Sequence, residues 1–298
     1  MKNKNIQKAD FTEKNLPHSR TAQYGQLLKD NYLLFLKLGF ILLTTLIPFI
    51  ASLIVKGLYE TFIKTNESFS DVQKAQMMIS SNLIFNAIFA VCIVIFFIFL
   101  GGVLKIMRRL IWNEPLFMRE DFFMGVKENI GHFSLIGFLI GLLNFISVAS
   151  YYLLPMNLRF IAFFIAGISL VLIIPILVTS SYISSIYTNK FSTSLVMGGR
   201  VFIRRGIFIF LILLILYSFY FVSFIPINLY FIVLIIALLI IFVFPLWLLL
   251  SYLNAFNNFD DLINIYYYPE NAYLGLYLNE EMRNKVEKKQ ENFKKEKY

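Results

Sequence analysis

Six long apolar runs occupy most of the chain between Leu38 and Leu250, and they carry almost no charge. About 30 Å of bilayer hydrocarbon requires roughly 20 apolar helical residues, so runs of this length predict membrane-spanning helices. The strands of a membrane β-barrel would be about ten residues long and strictly alternating, and these runs are neither. We therefore predict an all-α polytopic bundle with six spans, at residues 38–55, 83–104, 133–154, 160–183, 207–225 and 229–250.

The composition of the 298-residue chain agrees with this class. Hydrophobic residues make up 58% of it and charged residues 15%, with 33 Phe and 17 Tyr. A soluble fold would have too little polar surface to cover so much apolar material. The net charge of +9 does not predict nucleic-acid binding, because the basic residues concentrate in particular segments between spans.

The distribution of the 27 basic residues predicts the orientation. Six lie in the N-terminal tail, five in residues 105–132, four in residues 184–206 and seven in the C-terminal tail, whereas the opposite side has four. Lys37 lies at the start of the first span, where its ammonium reaches the interface. Because basic segments stay in the cytoplasm, we expect a multi-pass protein of the cell membrane with both termini cytoplasmic. On the outer side, the only sizeable segment is residues 56–82, which we expect to be a loop.

The predicted organisation has four parts. They are a polar cytoplasmic tail at 1–31, the transmembrane domain at 32–255, an interfacial segment at 256–279 and a charged cytoplasmic tail at 280–298. Residues 105–132 predict a short interfacial helix that reverses the chain, or else a surface that couples to a cytoplasmic partner. The candidate contacts with lipid headgroups are basic and aromatic residues at this interface, namely Arg108, Arg109, Trp112, Arg204 and Arg205.

Uncharged polar side chains enter two of the spans. Their spacing gives one face on each helix, with Asn82 and Asn86 on the second span and Asn144, Ser147 and Tyr151 on the third. Such faces favour hydrogen bonding between helices, and a substrate cavity is the alternative. Gly137 and Gly141 form a GxxxG motif that predicts close helix packing, within the chain or between protomers.

No catalytic, cofactor or metal site is predicted. The motifs HExxH and CxxC and the phosphate-binding loop GxxxxGK[ST] are all absent, and Cys92 is the only cysteine. Glu128, His132 and Ser134 are the only candidate for catalysis, and their spacing is that of an ordinary helix surface. We therefore expect a protein that is not an enzyme.

An internal repeat of two helices is a hypothesis. Met124-Gly125 precedes the third span as Met197-Gly198 precedes the fifth, 73 residues later. Pro175 and Ser181-Tyr182 recur as Pro245 and Ser251-Tyr252, 70 residues later. Repeats of this kind occur in transporters and in other membrane proteins.

One stretch resembles the YesL-like family of bacterial polytopic membrane proteins. The resemblance covers about residues 95–140 and comprises Gly101-Gly102, Met107-Arg108-Arg109, Trp112, Glu114, Phe122, Gly125 and Lys127-Glu128-Asn129. In that family a comparable cytoplasmic loop joins two spans. The resemblance implies a bacterial plasma-membrane protein of unassigned role, and some members resemble accessory proteins encoded beside sugar-uptake systems.

Two functions follow from these observations. The first is a non-enzymatic accessory or scaffold component that contacts the lipid bilayer and a membrane or cytoplasmic protein partner. The alternative is a permease or facilitator for a small solute, or a subunit of a transport system. No buried carboxylate is available to couple an ion in any predicted span, which argues against an ion-driven carrier. No nucleic acid is expected as a partner, and a homo-oligomer is left open.

Overall fold

The computed structural model describes residues 16–204 and 229–297, and in these ranges the fold is all-helical, without a β-strand. Three long helices open the chain: α1 (Arg20–Thr65), α2 (Asp71–Ile111) and α3 (Met118–Leu153). They are followed by α4 (Phe160–Ile168), α5 (Ile174–Ile186) and α6 (191–204). After the gap come α7 (Leu229–Leu238), α8 (Phe244–Phe259), α9 (Ile265–Tyr267) and α10 (Glu280–Lys297).

Five stretches of helix are long and apolar enough to cross a membrane. They are Arg20–Thr65, Asp71–Ile111, Met118–Leu153, Met156–Ile186 and Val233–Tyr267. The all-α prediction is confirmed, and five of the six predicted spans fall on these helices. The remaining span, 207–225, lies outside the described residues. The side of the membrane that each terminus occupies stays a prediction.

Helices α1 and α2 extend well beyond the hydrophobic thickness of a bilayer. Helix α1 is kinked at Asn31, and at 1.5 Å per residue its 34 residues from Tyr32 to Thr65 measure about 51 Å. Residues 56–82, predicted as a loop, are therefore helical except for a short turn between Thr65 and Asp71. Ser70 closes this turn with a capping box, since its hydroxyl accepts from the Gln73 N–H at 3.4 Å while the Gln73 side chain accepts from the Ser70 N–H at 3.0 Å.

The predicted interfacial helix in residues 105–132 is wrong. Helix α2 continues to Ile111, the chain turns at residues 112–117, and α3 then runs without a break from Met118 into the third span. Asn113 makes the turn with a positive φ of 58°. The amphipathic pattern belongs to the first turns of α3, because pairing with α2 continues beyond the apolar part of both helices.

Two helices contain π-turns directly before proline. Residues Ser169–Ile173 precede Pro175, and residues Leu239–Val243 precede Pro245. Proline has no N–H and crowds the preceding turn, and the wider π-turn absorbs this break without ending the helix. The second π-turn begins 70 residues after the first, and α6 begins 73 residues after α3. These offsets equal those of the sequence repeat, whose duplication stays a hypothesis.

The core lies where α1, α2, α3, α5 and α8 meet. Its largest fully buried side chains include Phe35, Leu104, Phe133, Tyr252 and Phe259. A Cβ on Gly137 would lie 2.8 Å from the Cα of Val94, and one on Gly141 would lie 2.9 Å from the Cα of Ala90. The GxxxG residues of α3 thus lie directly against α2 of the same chain.

Candidate functional site

A buried ion pair joins the start of α1 to the end of α8. The Arg20 Nη2 donates to Asp260 Oδ2 at 2.7 Å, and the two side chains are 6% and 0% exposed. The second carboxylate oxygen of Asp260 accepts from the Tyr273 N–H at 2.9 Å and from the Asn264 amide at 2.8 Å. A buried charge is tolerated only when it is paired and its remaining hydrogen bonds are made, and Asp260 meets both conditions. The first turn of α1 and the end of α8 therefore lie at the same end of the bundle.

Gln23 extends this network to α2 and to the C-terminal segment. Its side chain accepts from Arg20 at 2.8 Å, and it donates to the carbonyls of Ile111 at 2.7 Å and Gly275 at 3.3 Å. The Ile111 carbonyl is one of the last four of α2, which have no partner inside the helix. We call Arg20, Gln23, Asp260, Asn264 and Tyr273 the polar cap. It connects α1, α2, α8 and the segment predicted as interfacial.

Tyr273 closes the polar cap from the C-terminal side. Its φ of 57° is unusual for a residue with a side chain. The hydroxyl donates to Asp261 Oδ1 at 2.9 Å, and Lys289 of α10 lies 3.5 Å from the same oxygen. Burial, and then the negative charge of Asp261, raise the pKa of Tyr273. The phenol therefore stays protonated and keeps donating across the physiological pH range.

The two adjacent arginines at the end of α2 have different surroundings. Arg109 lies 3.1 Å from Asp121 and 3.7 Å from Glu114, and it donates to the Pro115 carbonyl at 2.9 Å. Arg108 instead donates to the Ser185 carbonyl of α5 at 2.9 Å and stacks over Trp112, 4.9 Å from the ring centroid. Both were predicted as headgroup contacts, and each is half-buried against protein groups. Of the other predicted basic contacts, Arg204 is exposed and Arg205 lies outside the described residues.

The predicted polar face of α2 and α3 has one interhelical hydrogen bond, from the Asn144 amide to the Asn86 side-chain oxygen at 3.2 Å. Asn82 donates to the Met78 carbonyl, Asn86 to the Asn82 carbonyl and Ser147 to the Leu143 carbonyl, all within their own helices. Tyr151 packs edge-on against Tyr152 and Phe163, and Arg159 lies over its ring at 5.4 Å. Of the residues predicted to form these polar faces, Asn86 and Asn144 contact each other, whereas Tyr151 lies among aromatic side chains and Arg159.

Helices α5 and α8 meet through four buried hydroxyl groups. The Tyr182 and Ser251 hydroxyls are 2.7 Å apart, as are those of Ser185 and Tyr252, and the two tyrosine rings lie 5.2 Å apart. Three of these residues, Tyr182, Ser251 and Tyr252, belong to the Ser-Tyr pairs of the sequence repeat, whereas Ser181 donates to the Val178 carbonyl of its own helix.

A cavity of about 270 Å³ lies beside the two π-turn helices. Its lining is apolar and includes Leu46 of α1, Phe96 of α2, Ile174 and Tyr182 of α5 and Trp247 of α8. A wet solute pathway would need polar groups that this lining does not offer. Within residues 16–204 and 229–297, no group of three or more His, Cys, Asp or Glu is placed to hold a metal ion.

Sequence reasoning missed three features. Arg20 and Asp260 are 240 residues apart, and the one available signal was that Asp260 is among the few acids after Glu128. Tyr182 and Tyr252 were noted only as members of a repeat. Arg159 is one of the four basic residues on the predicted outer side, and nothing in the sequence pairs it with Tyr151.

Comparison with known proteins adds no relative: no family model matches the chain, and no curated protein or solved structure is significantly similar to it. Identification therefore rests on the fold. Five apolar helices of membrane-spanning length in an all-helical chain are the features of a helical membrane protein.

Proposed function

We propose that the protein is a non-enzymatic accessory or scaffold component of the bacterial plasma membrane, with six spans and both termini in the cytoplasm. The observation that carries the proposal is the polar cap. Its contacts fix the start of α1, the end of α2 and the C-terminal segment relative to one another. Because these segments are fixed relative to one another, the end of the bundle that carries the polar cap can present a rigid surface to another protein.

The surface beside the polar cap has features that a partner can use. Phe117 and Phe123, at the start of α3, are 61% and 59% exposed. Both lie at the N-terminal end of α3, before its apolar part. Aromatic side chains are enriched among the anchors of protein interfaces, and we infer that these two contact a partner.

Co-purification from mild detergent tests this proposal. We expect one defined partner at constant stoichiometry with the wild-type chain, and loss of that partner on Phe117→Ser or Phe123→Ser. Val72→Ser is the matched control, since Val72 is 68% exposed at the other end of the bundle. Isolation of the wild-type chain alone after chemical crosslinking in membranes would contradict an accessory role.

A permease or facilitator, or a transport-system subunit, is the second candidate. The cavity beside the two helices that contain π-turns supports it, because π-turns within helices are frequent at functional sites. Purified protein in liposomes should then move a small apolar solute. Leu248 also lines the cavity, so Leu248→Trp should fill it and reduce the flux. Phe163→Trp, on an exposed face, should leave flux unchanged. The absence of flux across a broad solute panel would remove this candidate.

A further inference from the structure

Buried and half-buried arginines fall into two groups in the described part of the chain. Arg20 and Arg109 each have a carboxylate within ion-pair distance. Arg108 and Arg159 are also partly buried, and among residues 16–204 and 229–297 neither has such a carboxylate. A partly desolvated cation without a counter-charge is unfavourable, so these two positions call for an anion from outside the chain.

Arg108 and Arg159 share the same local arrangement. Arg108 stacks over Trp112 with its Cζ 4.9 Å from the ring centroid, and Arg159 stacks over Tyr151 at 5.4 Å. In both side chains the Nε–H is buried without an acceptor, as it is in Arg20 and Arg109, so the missing carboxylate is what distinguishes Arg108 and Arg159. The indole N–H of Trp112, beside Arg108, is also buried without an acceptor. Each arginine is thus oriented by an aromatic ring and keeps donors that the described protein groups leave unused.

The two arginines lie at levels that match the two faces of a bilayer. A Cβ on Gly125 of α3 would lie 2.5 Å from the Cβ of Lys105 of α2, so these positions share a level. At 1.5 Å per residue, α3 rises about 39 Å from Gly125 to Tyr151, and Arg108 lies about 4.5 Å beyond Lys105 in the opposite direction. The separation of about 44 Å agrees with a bilayer of about 40–45 Å including its headgroups. A helix tilt of about 20° reduces it only to about 41 Å.

A purely structural role accounts for one of the contacts of Arg108. Its bond to the Ser185 carbonyl satisfies one of the last four carbonyls of α5, where a cation is favoured by the helix dipole. This bond uses one guanidinium nitrogen and supplies no full negative charge. Arg159 has no such carbonyl bond within the described residues, although it has the same aromatic stacking and the same unused Nε–H. Helix capping therefore does not explain what the two positions have in common.

We propose that Arg108 with Trp112, and Arg159 with Tyr151, each bind the phosphate of a phospholipid headgroup, one in each leaflet. A guanidinium matches phosphate with parallel N–H donors, and Trp and Tyr favour the headgroup level. Arg109 is excluded because Asp121 and Glu114 already neutralise it. The proposal goes beyond the accessory role and holds whether or not a protein partner exists.

Native mass spectrometry of the purified full-length protein tests the proposal, with phosphatidylglycerol as the probe. We expect two tightly retained lipids, with Arg108→Gln and Arg159→Gln each losing one of them, corresponding to roughly tenfold weaker binding or more. Arg109→Gln is the matched control and should keep both. Dioleoylglycerol, which has no phosphate, should not be retained.

Two further experiments distinguish lipid phosphate from free phosphate and loss of binding from misfolding. Inorganic phosphate at millimolar concentration should not displace the lipid, and displacement would overturn the assignment to lipid in favour of free phosphate. Since Arg108→Gln also removes the bond to α5, Arg108→Lys is compared with it. Lysine keeps the charge without the planar donor pair, so retention should be intermediate. Equal retention by Arg108→Gln, Arg159→Gln and wild type, or an equal loss in Arg109→Gln, would overturn the proposal.

Discussion

The two ends of the bundle are held together in different ways. At the end that carries the polar cap, buried ionic and amide groups connect segments as far apart in sequence as Arg20 and Asp260. At the opposite end, where α1 turns into α2, the Lys56–Glu60 pair lies within one helix and both side chains are about one-fifth exposed. In that half of the described chain, the Asn86–Asn144 hydrogen bond joins the side chains of α2 and α3. The comparison teaches that polar side chains specify tertiary structure at one end, whereas apolar packing does so at the other.

The largest effect should come from breaking the polar cap. Asp260→Asn keeps the shape of the side chain but leaves Arg20 buried without its counter-charge, which should destabilise the protein by about 3–5 kcal/mol. Thermal unfolding in detergent measures this, with Glu60→Gln at the other end as the matched control. An i, i+4 ion pair within one helix contributes only about 0.3–0.5 kcal/mol. Equal shifts in the two variants would contradict the difference between the ends.

A second variant sharpens the comparison without removing a charge. Gly275 has a φ of +82°, and a Cβ there would collide with the Ile111 carbonyl oxygen. Gly275→Ala should therefore cost about 1–3 kcal/mol in unfolding free energy, because the backbone conformation is unfavourable for alanine.

Gly131→Ala is the control for that change. Gly131 is inside α3 with nothing within 4 Å of a built Cβ, so alanine there should stabilise the protein by up to about 1 kcal/mol. Calorimetry of both variants in the same detergent shows whether each change raises or lowers the free energy of unfolding. If Gly275→Ala stabilised the protein, the close contact between Gly275 and the Ile111 carbonyl of α2 would be contradicted.

The smallest effect concerns the hydrogen bond between α2 and α3. In a double-mutant cycle with Asn86→Leu and Asn144→Leu, the coupling energy should be about 0.6 kcal/mol, the typical value for such bonds in a membrane. Steric trapping or reversible unfolding in mixed micelles measures it. A coupling above about 2 kcal/mol would mean that this end also depends on polar contacts.

Particular residues show how far sequence reasoning reached. The apolar runs located five helices, since backbone hydrogen bonds must be satisfied inside lipid whatever the partners are. The i, i+4 pattern identified Gly137 and Gly141 without indicating that α2 is the helix they contact. Arg108 and Arg109 look equivalent in sequence, and only the positions of Asp121 and Ser185 distinguish them. The interfacial helix was misjudged because local amphipathicity does not reveal that α3 continues through it.

The sequence by itself determined that the chain forms long apolar helices. A run of about 20 apolar residues is long enough to cross the hydrocarbon, and there a backbone of any sequence must make its own hydrogen bonds. The tertiary structure decided which polar groups are neutralised, since pairing across 240 residues depends on how the helices assemble. It also decided which of the partly buried arginines have a carboxylate partner, because that depends on how close the folded helices bring Asp121 and Asp260 to each of them.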